Sequence, residues 1–309
     1  MSKQDLAPTA YTAFLEPQDQ SDSAGLEKHL NPPASWTQLE FWDKDGKPYL
    51  KEYEGRGLLQ DKAVLITGGD SGIGRSAAIL MAREGADITI CYLAEEKEDA
   101  EWTIKQIEKE GRKAHGIVGD LKSMEVCKSI IDEHMTVHGR LNVLVNNASM
   151  QEACMDHSKI DLDVVQATFQ TNIIPMIALA KYALPHMKRG DNIINTASVA
   201  GYMGNPALVD YSSTKGAIVS FTRALAQQQA PRGIRVNAVA PGVIWTPLQP
   251  ATNNLPADAM KGLGINEAPI NRPGMPVEIG TAYVFLASPL SSFATGTCHH
   301  ANGASELQG

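Results

Sequence analysis

The stretch Ala63-Val64-Leu65-Ile66-Thr67-Gly68-Gly69-Asp70-Ser71-Gly72-Ile73-Gly74-Arg75 decides the fold of this chain. A short apolar run of strand character ends at Thr67 and passes through Gly68, Gly72 and Gly74 into a helix-forming segment. The first glycine permits a tight turn, the second lets backbone amides approach a pyrophosphate, and the third lets the helix pack closely on a sheet. The helix start adds partial positive charge. The spacing is GxxxGxG rather than GxGxxG, but its place between strand and helix is what a dinucleotide loop requires; a merely structural turn is the alternative. Asp70, Ser71 and Ile73 belong to the same loop.

Outward from this segment, apolar runs alternate with helical patterns as βαβ units do. The runs are 63–67, 88–92, 116–119, 142–147, 192–198 and 235–241, and the helical candidates lie near 73–84, 97–110, 123–138, 161–188, 211–230 and 276–287. Such continuous hydrophobicity suits strands buried on both faces. The expected fold is α/β, a doubly wound parallel sheet in one domain over about 61–309. Residues 1–60 read as an extended arm punctuated by proline. Its aromatics, Tyr11, Phe14, Trp36, Phe41, Trp42, Tyr49 and Tyr53, are too many for a solvated tail. The arm is expected to dock on its own domain or on a neighbouring subunit.

The chain has 309 residues and a formal charge of -8, an excess of acid that argues against nucleic acid and anionic membranes as partners. The four cysteines form no CxxC pair, which points to a reduced compartment. There is no apolar run of about 18 residues and no secretory h-region, so a cytoplasmic location is expected. His299 and His300 are adjacent, so on a strand they point to opposite faces, and no metal site is expected.

Tyr211 and Lys215 stand four apart at the start of a helix pattern and project from one face. Ser198 ends a predicted strand, and the carboxyl ends of parallel strands line the ligand crevice. Together with TGGDSGIG (67–74), NNAS (146–149), YSSTK (211–215) and PG (241–242), these residues resemble the short-chain dehydrogenase/reductase family over about residues 60–305. Within it, the aromatic-bearing arm is similar to that of stress-protein-like and aldehyde-reductase-like members. The resemblance implies an NAD(P)-dependent oxidoreductase acting on a small or medium carbonyl or alcohol. It implies Tyr211 as acid/base, Ser198 orienting the substrate oxygen, Lys215 on the nicotinamide ribose and Asn172 holding a relay water. An unperturbed tyrosine titrates near ~10, and an adjacent ammonium is expected to favour its phenolate. Pro175 should distort the helix around Thr171.

Also by resemblance, Asp120 and Leu121 follow the third strand at the adenine, and Asn147, Ala148 and Ser149 pass under the nicotinamide ribose. Pro241, Gly242, Ile244 and Thr246 cover the nicotinamide. Ser149 stands where the family usually has glycine. Tyr92 stands where NAD-preferring relatives carry an acid, which favours NADP over NAD, with Arg75 either reaching a 2'-phosphate or facing solvent. The segment 246–275 is expected to form a substrate lid. Gln151, Met203, Asn205, Leu208 and Trp245 are the pocket candidates. The resemblance implies a homo-oligomer through helices near 161–188 and 211–230; the stripe Ile173, Ile177, Ala180, Leu184 either forms that face or packs on the sheet. A catalytically silent dinucleotide-binding regulator is the alternative reading.

Overall fold

The computed structural model describes residues 8–12, 15, 18–20, 25–255, 263–264 and 268–306. After a 3-10 turn (Glu27–His29) comes an antiparallel hairpin, β1 (Gln38–Trp42) and β2 (Pro48–Glu52). The main elements then alternate as β3 (Ala63–Thr67), α1 (Gly72–Arg83), β4 (Asp87–Tyr92), α2 (Lys97–Lys109), β5 (Ala114–Val118), α3 (Met124–His138) and β6 (Val143–Asn146). After α4 (Leu162–Asn172) and α5 (Ile174–Ala183) come β7 (Asn192–Thr196), α6 (Ala200–Met203), α7 (Val209–Gln229), β8 (Arg235–Pro241), α8 (Pro276–Ala287) and β9 (Cys298–Ala301).

The seven later strands form one sheet in the order β5-β4-β3-β6-β7-β8-β9, and every neighbouring pair is parallel. The strand order reverses between β3 and β6. At such a switch point the loops leaving two carboxyl ends diverge and open a crevice. Side chains alternate across the sheet: Val64, Ile66, Val143 and Val145 pack with α1 and α8 residues such as Leu80, Met81, Val277 and Tyr283. Leu65, Leu144 and Ile193 face the other way, toward Ile130, Ile131 and Leu179 of α3 and α5. Burial on both faces is what the unbroken apolar runs require.

Three differences from the sequence reading have local causes. The predicted helix 161–188 is two helices that break at Ile173 (φ −124°, ψ −42°). Pro175 then sits in the first turn of α5, where a missing N–H has no cost. The break therefore falls two residues beyond Thr171. Strand β9 is absent from the apolar runs because its sequence is Cys-His-His-Ala. The third difference is the arm, which is not simply extended: it carries the β1–β2 hairpin.

The arm docks on its own domain. Tyr11, Leu15, Leu30 and Ala34 are buried in the cluster that contains α1 and α8. Tyr11 Oη donates to the Gln38 carbonyl (3.0 Å) and accepts from the Glu40 amide (3.0 Å). Phe41, Trp42 and Tyr49 remain exposed on the hairpin, and Phe14 lies outside the described residues. Trp36 of the arm and Trp102 of α2 lie 5.1 Å apart, with the Arg75 guanidinium 5.1 Å and 4.5 Å from their ring centroids.

That sandwich corrects both readings of Arg75. It neither faces solvent nor lines the cleft, because it is buried and bonded to Asp99 Oδ1 (3.2 Å), Thr103 Oγ1 (3.0 Å) and the Asp70 carbonyl (2.8 Å). Replacing Arg75 by Met leaves Asp99 buried without its cation, a loss expected to cost about 3 kcal/mol. Urea unfolding should show the shift. An unchanged midpoint would mean that the ion pair contributes nothing to stability.

Candidate active site

The site forms where the loops after β3, β4, β5, β6, β7 and β8 meet above the carboxyl edge of the sheet. They enclose an open cleft of about 700 Å³. Gly74 shows why α1 can lie so close to the strand ends: a Cβ there would fall 1.9 Å from the Gly68 carbonyl oxygen and 2.7 Å from Asn147 Nδ2. No other residue fits. The Thr67 hydroxyl joins the β3 and β6 loops by accepting from the amides of Asn147 (2.9 Å) and Ala148 (3.1 Å). Asn147 Nδ2 reaches back to the Gly68 carbonyl (2.9 Å).

The structure brings nearly all the predicted residues to this cleft. Gly68, Asp70, Ser71, Gly72 and Ile73 line one end with Tyr92, Asp120 and Leu121. Asn147, Ala148, Ser149, Pro241, Gly242, Ile244 and Thr246 line the other, around Ser198, Tyr211 and Lys215. Gly74 and Asn172 stand behind the wall. Of the pocket candidates only Gln151 lines the cleft, donating to Thr252 Oγ1 (2.7 Å). Leu208 packs beneath Tyr211, and Met203 and Asn205 lie outside. Trp245 is fully buried in the core, with its indole N–H donating to the Pro32 carbonyl of the arm (2.7 Å). It is a packing residue.

Lys215 is almost completely buried, and among the described residues its amine has one acceptor, the Thr196 carbonyl at the end of β7 (2.9 Å). Its Nζ lies 5.2 Å from the Tyr211 ring centroid. An ammonium has three donors, so two remain for a ligand in the cleft. Burial pushes the Lys215 pKa down to about 7 and pushes Tyr211 up to about 12, the latter opposed by a hydrogen bond from the Ser198 side chain. Removal from water thus holds the phenolic proton in place, and the expected lowering by an adjacent ammonium is not seen in the ligand-free site. A ligand cation beside Tyr211 would favour the phenolate, as the sequence reading asks of Lys215 and the nicotinamide together.

Asn172 neither caps nor faces solvent. Its Oδ1 accepts from the Met150 amide (2.8 Å) and Ser149 Oγ (3.2 Å), while Nδ2 donates to the Met150 carbonyl (2.9 Å) and Thr214 Oγ1 (3.1 Å). It thus clamps the loop after β6 to α7, one residue before Lys215. Ser149, in place of the usual glycine, joins that clamp and lines the cleft. Thr67, Thr196 and Thr214 also position the site: Thr67 and Thr214 stand inside the motifs TGGDSGIG and YSSTK without being singled out there, whereas Thr196 has no motif signal.

A buried amine with unused donors, a cradle closed to any Cβ and a helix start bordering the cleft together fit a dinucleotide. The sheet, the glycine turn and the serine, tyrosine and lysine at one edge define a dinucleotide-dependent oxidoreductase. Residues 68–304 match the family model described as Enoyl-(Acyl carrier protein) reductase. The chain is 48% identical to the oxidoreductase YhdF of Bacillus subtilis over 94% of its length and 96% of that protein's. It is 44% identical to the NADPH-dependent aldehyde reductase 1, chloroplastic, of Arabidopsis thaliana over 82% of its length and 88% of that protein's. The crystal structure of a short chain dehydrogenase from Burkholderia cenocepacia in complex with NADP matches 81% of the chain and 99% of its own, with a TM-score of 0.74 and 29% identity. The protein belongs to the short-chain dehydrogenase/reductase family.

Lys215 makes the stability of the ligand-free protein depend on pH. Unfolded, this lysine holds its proton up to its ordinary value of 10.5; folded, it sheds it near 7. Between those values the unfolded state binds more protons, so this group's contribution makes the protein more stable as pH rises. The raised pKa of Tyr211 acts in the opposite direction only above pH 10. Melting temperatures from pH 7 to 9.5 should rise more steeply in the wild type than in Lys215→Met. Parallel curves would contradict the buried, readily deprotonated amine.

Proposed function

We propose that the protein is an NADP(H)-dependent oxidoreductase that reduces small or medium carbonyl compounds, aldehydes foremost, or runs the reverse oxidation. The observation that carries this reading is the buried Ser198, Tyr211 and Lys215 set opening into the same cleft as the glycine turn. When bound, the nicotinamide supplies or accepts the hydride. Tyr211 then gives its phenolic proton to the substrate oxygen in reduction, and Ser198 donates a hydrogen bond to the charge developing there. Lys215 holds the nicotinamide ribose through donors that Thr196 leaves unused. Asn172 keeps the loop after β6 against α7, and with its side-chain donors and acceptors all engaged there it acts by positioning.

The choice of NADP rests on two relatives and on the chemistry at the adenosine end. The Burkholderia structure contains NADP and the Arabidopsis enzyme is NADPH-dependent. Tyr92 ends β4 where an acid would repel a 2'-phosphate. Nearby, Glu96 accepts from the Leu93 amide (2.7 Å) and lines the cleft. Burial, with the added field of Asp70, pushes its pKa up, which weakens the repulsion it offers a 2'-phosphate at neutral pH.

Segment 246–275 supports a substrate cover in part: Thr252 and Asn253 fold onto Gln151–Ala153, while 256–262 and 265–267 lie outside the described residues. The four cysteines are free, in keeping with the cytoplasm. No helix among the described residues is long and apolar enough to cross a membrane. Assembly as a homo-oligomer belongs to the same reading, with one change to the stripe: Ile173 and Ala180 pack inward and Ile177 is exposed.

Tyr211→Phe is expected to abolish carbonyl-dependent NADPH consumption while cofactor binding stays nearly intact; unchanged turnover would overturn the assignment. The preference for NADPH over NADH, read as a ratio of kcat/KM, should shrink between pH 7 and 9 as Glu96 ionises. In Glu96→Gln the ratio should stay flat. A wild-type ratio independent of pH would remove Glu96 from cofactor choice.

A further inference from the structure

The arm does more than cover the core, because its carboxylate Glu27 enters the glycine turn. Glu27 is almost fully buried; its Oε2 accepts from the Gly72 amide (2.6 Å) and its Oε1 from the Trp36 indole N–H (3.1 Å). Its own amide donates to Asp99 Oδ2 (2.8 Å), so the arm is tied to α2 as well. Gly72 opens α1, whose first amides have no intrahelical acceptor. Glu27 takes one of them and leaves for a phosphate that of the adjoining Ile73, a residue that lines the cleft.

The same segment grips the other wall. Gly25 lines the cleft beside Pro247, so close that a Cβ would lie 2.7 Å from the Pro247 carbonyl oxygen and 2.8 Å from Ala251 Cβ. The Gln20 amide donates to the Pro250 carbonyl (2.8 Å), and the Trp245 indole donates to the Pro32 carbonyl (2.7 Å). The arm therefore spans from the start of α1 to the segment that follows β8. Burial pushes the Glu27 pKa up, and the Arg75 cation beside it opposes that shift and offsets the charge a pyrophosphate would meet.

We propose that the arm is a working part of the dinucleotide site, with Glu27 as a positioning residue that holds the glycine turn ready for the pyrophosphate. The inference rests on the dinucleotide-binding reading and extends it to a segment outside the matched family region, which begins at residue 68. A turn fixed before binding loses less freedom when the ligand arrives, so loosening it weakens affinity rather than chemistry. Glu27→Ala frees the Gly72 amide. Gly25→Ala forces the arm off Pro247 at a residue whose φ is +84°. Glu27→Gln keeps an acceptor for Gly72 but turns an NH2 group toward the Trp36 indole, and Glu27→Gln with Trp36→Phe removes that clash.

The test is NADPH and NADH binding by calorimetry on the full chain, with cofactor KM, kcat and melting temperature measured beside it. Glu27→Ala and Gly25→Ala should raise the Kd roughly tenfold, the scale of one charge-assisted hydrogen bond. Cofactor KM should rise in step and kcat at saturating cofactor should stay within about threefold. The double variant Glu27→Gln, Trp36→Phe should recover most of the affinity that Glu27→Gln loses. A lowered melting temperature with Kd and KM within twofold of wild type would overturn the proposal, since a purely structural arm removes active molecules without altering the remainder. Should Glu27→Ala fail to fold, Gly25→Ala and the Gln pair decide by the same limits. Wild-type protein that binds neither dinucleotide would overturn the underlying functional reading as well, whereas a turnover-competent Tyr211→Phe would bear on that reading alone.

Discussion

A buried amine held by one backbone carbonyl organises this molecule's chemistry. Lys215 cannot bond the Thr196 carbonyl unless α7 lies against the end of β7, and that contact sets Tyr211 over the strand edge beside Ser198. The contact holds because Asn172 clamps α7, through Thr214, to the loop after β6. That loop in turn is hung on Thr67, at the end of the strand that enters the glycine turn. Three strand ends, those of β3, β6 and β7, are thus linked by hydrogen bonds before any ligand arrives.

Burial drives the two ionisable groups toward neutrality, the lysine downward and the tyrosine upward. At neutral pH the phenol of Tyr211 therefore keeps its proton in the empty site. A bound cation would restore the ammonium-like field at Tyr211 and make deprotonation accessible near neutral pH. Proton transfer is then confined to the complex, because the empty pocket lacks the charge that activates the phenol.

The fold was largely legible because a sheet covered on both faces demands unbroken apolar strands: Ala63–Thr67 and Arg235–Pro241 have the predicted limits. The motif residues were legible for a related reason, since a glycine cradle and a tyrosine-lysine pair on one helix face are local patterns. What escaped was non-local. Arg75 has the sequence position of a cofactor contact, yet two tryptophans 66 residues apart in the chain enclose it. Trp245 follows a cofactor-covering segment, but its partner is the arm carbonyl of Pro32. Glu27 lies in a segment without periodicity, and only the folded chain brings it to Gly72. Strand β9 was hidden by two histidines whose polarity interrupts an otherwise ordinary edge strand.

The most direct measurement is a crystal structure of the protein with NADP+ bound. The pyrophosphate is expected at the start of α1 on the Ile73 amide, and the nicotinamide ribose within hydrogen-bonding reach of Lys215 Nζ and Tyr211 Oη. A cofactor whose ribose lies away from Lys215, or whose pyrophosphate avoids the start of α1, would contradict the assignment of this cleft and the proton path drawn from it.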